Sequence, residues 1–73
     1  MRLTELDANQ TVVVKDVEGG TNVKMRLESM GIRLGVKVTK ISSHFWRGPV
    51  TIKVGRAKVA IGHGMARKII VEK

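Results

Sequence analysis

Short apolar runs, most of them of period two and bounded by glycine, constrain this chain more than any other feature. Thr11-Val12-Val13-Val14-Lys15-Asp16-Val17 is the clearest, and Glu18-Gly19-Gly20 ends it. Val36-Lys37-Val38-Thr39-Lys40-Ile41 follows Gly35. Val50-Thr51-Ile52-Lys53-Val54 ends at Gly55, with Val50, Ile52 and Val54 turned inward. Lys58-Val59-Ala60-Ile61 returns after the tight-turn pair Gly55-Arg56, and Ile69-Ile70-Val71 closes the series. Such alternation marks half-buried strands, and β-branched residues suit a pleated surface. Glycine supplies the positive φ of the turns.

One segment has a different period. Val23, Leu27 and Met30 fall at i, i+4 and i+7 and form one apolar stripe of a helix. Thr21 or Asn22 suits its N-cap and Gly31 its C′ position. A helix of about ten residues is marginal alone, so it must pack on the sheet. Leu3 and Leu6 suit one helical turn, or a lead-in that plugs a barrel end. Gly62-His63-Gly64 breaks the pattern, and Met65-Ala66-Arg67-Lys68 suits one more helical turn. Ser42 to Pro49 reads as a loop holding both aromatics of the chain, Phe45 and Trp46.

The count is five short strands and one short helix, a mostly β chain. Each strand needs one face buried and the sheet edges closed. A small, strongly bent, partly open barrel over residues 1–73, as a single domain, meets both needs. Its core is thin, because a domain of this size buries only about 60 % of its unfolded surface. No cysteine is present to staple it, which also excludes a thiolate metal site.

The formal net charge of +8 is unevenly spread. Residues 1–28 carry four basic and five acidic side chains; residues 29–73 carry ten basic and one acidic. That field favours an anionic partner: nucleic acid, an acidic protein surface or an anionic membrane face. The longest charge-free stretch, Val59 to Ala66, is far shorter than the ~20 apolar residues of a spanning helix. Met1-Arg2-Leu3-Thr4-Glu5 lacks the apolar core of a signal peptide. A cytoplasmic location is expected, with weak contact to an anionic membrane face as a lesser idea.

Enzyme chemistry is not expected. Five of the six carboxylates lie in the first 28 residues, and Ser29, Ser42 and Ser43 lack a nucleophile-elbow setting. No phosphate-binding loop of the Walker type occurs. His44 and His63 share no metal-ligand spacing. Met25, Met30 and Met65 offer soft sulfur but read better as gap-fillers. Neither a metal site nor a cofactor is expected. Phe45, Trp46 and Arg47 form the combination found at binding hot spots and base-stacking surfaces, although an indole there also suits a core plug.

The run Leu27-Glu28-Ser29-Met30-Gly31-Ile32-Arg33-Leu34-Gly35, followed by Val36-Lys37-Val38, resembles the Leu-x-x-Met-Gly-Leu/Ile-x-x-Gly signature of the FeoA family. Arg47-Gly48-Pro49-Val50 to Gly55 resembles the family's Gly-Pro hairpin. Val59-Ala60-Ile61-Gly62, Met65-Ala66, Ile69-x-Val71 and the opening Leu3-x-x-Leu6 fit as well. Departures are Ala8-Asn9-Gln10 where the family has a Pro-Gly turn, Leu34 where a proline often stands, and Ser43-His44-Phe45-Trp46 where an Ala-Pro pair is common.

The resemblance implies an SH3-like five-stranded barrel and a cytosolic accessory protein of bacterial ferrous iron uptake. It implies a partner, the FeoB permease with its cytoplasmic GTPase domain, and no catalysis of its own. Met30, Gly31, Phe45, Trp46, Arg47 and Arg56 are the candidate partner contacts. Two alternatives stand beside it: a small basic barrel that binds nucleic acid, and a relative of the SH3-like domain of iron-dependent repressors. The second is less favoured because no DNA-binding helices precede the barrel.

Overall fold

A computed structural model describes residues 1–43 and 48–73. Five strands form one antiparallel sheet: β1 (Thr11–Val17), β2 (Lys37–Ser43), β3 (Val50–Val54), β4 (Ala57–Ile61) and β5 (Ile69–Glu72), in the spatial order β4-β3-β2-β1-β5. Two helices interrupt the strand series, α1 (Gly20–Ser29) and the single turn α2 (His63–Ala66). A 3-10 turn over Leu3–Glu5 opens the chain.

All five strands contribute to one core cluster. Val12, Val14, Val38, Ile52, Ile61, Ile69 and Val71 meet there with Leu3, Leu27 and Ile32. The opposite edge strands, β4 and β5, bury residues in the same cluster, so the sheet curls round it. Among the described residues no ladder joins β4 to β5, and the barrel is partly open. The outer edge of β5 is covered instead by the N-terminus: Arg2 bridges Ile70, and the Val71 amide donates to the Met1 carbonyl at 2.7 Å.

Bulges bend the sheet, since an extra residue on one strand kinks it and adds twist. One falls between Val14 and Asp16 on β1, the other between Lys40 and Ser42 on β2. The first explains a burial pattern that strict alternation misses. Val12 and Val14 face inward, and after the slip at Lys15 so does Val17.

Several expectations shift. α1 begins at Gly20 with Gly19 at its N-cap, not at Thr21 or Asn22. Gly19 (φ 101°) and Gly20 (φ 84°) make the reversal from β1, and side-chain capping plays no part. The second helical turn is His63–Ala66 rather than Met65–Lys68, because the chain re-enters helical backbone at once after Gly62. Of the inward side assigned to β3, Val50 and Ile52 are buried, whereas Val54 is half-buried. β2 is bounded at Lys37 rather than Val36, although the Val36 carbonyl still accepts from the Val14 amide at 2.9 Å.

Candidate functional site

The Met30-Gly31 signature is a helix ending. Gly31 sits at φ 87°, a backbone that L side chains rarely adopt. Its amide donates to the Glu28 carbonyl and the Ile32 amide to the Leu27 carbonyl, both at 2.9 Å. This pair of bonds is a Schellman cap. The apolar contact that accompanies such caps joins Leu27 to Ile32, both fully buried. The residue types of the motif are thus set first by the need to stop α1 and aim the chain into β2.

The same ending meets the β3–β4 hairpin. A Cβ on Gly31 would lie 3.6 Å from Cγ1 of Val54, the last residue of β3. Val54 pairs with Ala57 across the two-residue turn Gly55-Arg56. Gly55 takes φ 60° at the first central position, as a type II′ turn requires. Met30 is half-buried against the core, and Arg56 is exposed at the hairpin tip. Met30, Gly31 and Arg56 therefore share one corner of the barrel. Phe45, Trp46 and Arg47, like His44, lie outside the described residues. The strand positions that flank them, Ser43 and Val50, pair with each other at the far end of β3 from Val54.

Two further surfaces carry charge. A polar pocket of about 430 Å³ is lined by Arg2, Thr4, Glu5, Glu18, His63, Arg67 and Lys68. Within it the Arg2 guanidinium donates to Glu18 at 2.5 Å and to the Arg67 carbonyl at 2.7 Å. This bond and the charge of Arg2 hold the Glu18 carboxyl below its usual range, and Glu18 in turn holds Arg2 up. Both groups stay ionised, which suits a stitch between the chain's two ends and not proton transfer. Among the described residues no three His, Cys, Asp or Glu side chains converge as metal ligands would.

The second surface was missed by sequence reasoning. α1 and α2 flank an open groove of about 660 Å³ lined by Asn22, Val23, Met25, Arg26, Met65 and Lys68. Met25 is 62 % exposed. A signal existed: Met25 is apolar yet stands off the Val23-Leu27-Met30 stripe. Its partner Met65, far along the chain, had no signal of its own.

The FeoA domain model matches residues 1–73. The chain belongs to the FeoA family. A relative named as Fe(2+) transport protein A, from Methanocaldococcus jannaschii, is 41 % identical over 63 residues, which cover 86 % of this chain and 74 % of the relative. A crystal structure of an iron uptake regulatory protein (FeoA) superposes with a TM-score of 0.88 at 32 % identity, covering 97 % of this FeoA-family chain and 92 % of the other. The ScaR structure with bound Cd2+ superposes at 0.90 over the whole chain and 35 % of its own length. Its 18 % identity makes that a likeness of fold alone. The expected SH3-like architecture stands, and the family is one of ferrous iron transport proteins, not enzymes. Among the described residues no helix is long and apolar enough to cross a membrane.

Proposed function

We propose that this FeoA-family chain is a cytoplasmic accessory protein of ferrous iron uptake that binds a FeoB-type permease and modulates it. The observation that carries the reading is the family match over residues 1–73. The residues support a binding role: the helix ending and the hairpin tip set Met30, Gly31 and Arg56 on one corner, and the Glu18 carboxylate in the polar pocket is ion-paired to Arg2. Modulation needs differential affinity, because a ligand shifts an equilibrium only by binding one state more tightly than another. Phe45, Trp46 and Arg47 complete the proposed contact set.

Permease-dependent uptake of labelled ferrous iron, measured in cells with and without this chain, tests the reading. Uptake changes when the chain is removed. The wild-type chain restores it, and Arg56→Glu or Trp46→Ala restores it less well at equal protein levels. Uptake that is the same with and without the chain contradicts the proposal.

A further inference from the structure

The groove between α1 and α2 combines two features seldom left to water together. Its apolar wall is Val23, Met25 and Met65, and its charged residues, Arg26 and Lys68, are both cations. No carboxylate lines it. Lys68 is positioned by packing: a Cβ on Gly19 would lie 3.1 Å from Lys68 Cδ, so its stem runs over the N-cap of α1. Arg26 stands in the last turn of the same helix. Arg26 lies seven steps along the chain from Gly19, about 10 Å of helix rise, so the two cations stand apart along the groove.

The chemistry selects the occupant. Methionine surfaces adapt to apolar side chains of varied shape. Two cations and no acid among the described residues of the groove wall favour carboxylates, and the +8 net charge of the molecule draws an acidic partner to it. We propose that the α1–α2 groove docks an acidic segment of a partner protein. One apolar side chain of that segment seats against Met25 and Met65, and flanking carboxylates pair with Arg26 and Lys68. The inference rests on reading the chain as a binding protein, and it adds the chemistry of what is bound.

The test uses the purified full chain, 15N-labelled, and a short synthetic peptide with one leucine between pairs of glutamates. Amide shifts are expected at Val23, Met25, Arg26, Met65 and Lys68. Affinity falls by at least about tenfold in Met25→Gln and in Arg26→Glu, both at exposed positions that leave the rest of the spectrum unchanged. Replacing the peptide's leucine by glycine, or its glutamates by lysines, abolishes the shifts. Absence of shifts at millimolar peptide overturns the proposal, as does equal binding of the glycine peptide or perturbation spread over the whole basic face. An oligothymidylate or phosphatidylglycerol vesicles moving these amides when the peptide does not also overturns it. So does protein concentration alone moving them, which marks a second copy as the occupant. No permease is present, so failure here leaves the uptake experiment to decide the proposed function separately.

Discussion

Lys40 is the one buried charged residue among those described, only 3 % exposed. Its ammonium donates to the Leu6 carbonyl at 2.5 Å and approaches the Thr4 carbonyl at 3.4 Å. It thereby ties the N-terminal turn across one end of the barrel. Burial lowers its pKa from the ordinary 10.5, opposed in part by Asp7. A lysine whose folded pKa is depressed binds protons more readily unfolded, so its contribution to stability rises as pH climbs towards that ordinary value. Lys40→Met leaves the Leu6 carbonyl without its donor and should cost about 1–3 kcal/mol at neutral pH. The gap between wild type and Lys40→Met should widen from pH 7 to pH 10 in chemical denaturation; a constant or narrowing gap contradicts the latch. Lys40 shares the face of its strand with Val36 and Val38, although sequence reasoning gives it no inward place. Its carbonyl partners were not legible, because they come from a turn more than thirty residues earlier. Asn9 is a second residue-scale case. It takes φ 71°, a left-handed backbone that asparagine tolerates better than most residues.

At the scale of elements, the helix end was readable and the helix start was not. Gly31 announced its own role, since a glycine one step past an apolar stripe is what a Schellman cap uses. Gly31→Ala meets only an ordinary contact at Val54, so its cost is backbone strain, about 1–2 kcal/mol. Thermal unfolding should show that loss; a neutral or stabilising substitution contradicts the cap. The start misled because Thr21 and Asn22 look like caps, whereas two consecutive positive-φ glycines had already turned the chain. Leu27 anchors the helix with no exposure at all. Leu27→Ala should therefore cost roughly 2–5 kcal/mol, a large share of the stability of so small a protein. A melting temperature within a degree or two of wild type contradicts the packing. The bulge in β1 belongs to the same lesson. A strict period of two would have sent Val17 outward with Val13, and only the pairing register with β5 shows the slip.

At the scale of the molecule, the core was legible and the surface was not. The core follows from period and residue type, which are local. The groove at Met25 and Met65 arises where two helices from distant parts of the chain meet, so no local pattern announces it. Charge is the global property that sequence does report. With ten of its cations and one carboxylate in residues 29–73, this chain should engage an acidic surface with an association rate that falls steeply as salt rises. The central claim is that this binding is directed at a permease and not at anions in general. The most direct measurement is co-sedimentation of the purified chain with membranes that contain or lack the FeoB-type permease, at matched lipid composition. Saturable binding to the permease-containing membranes alone, weakened but not abolished at about 0.5 M salt, is predicted from a contact that is apolar as well as charged. Equal binding to both membranes, or binding to neither, contradicts the account.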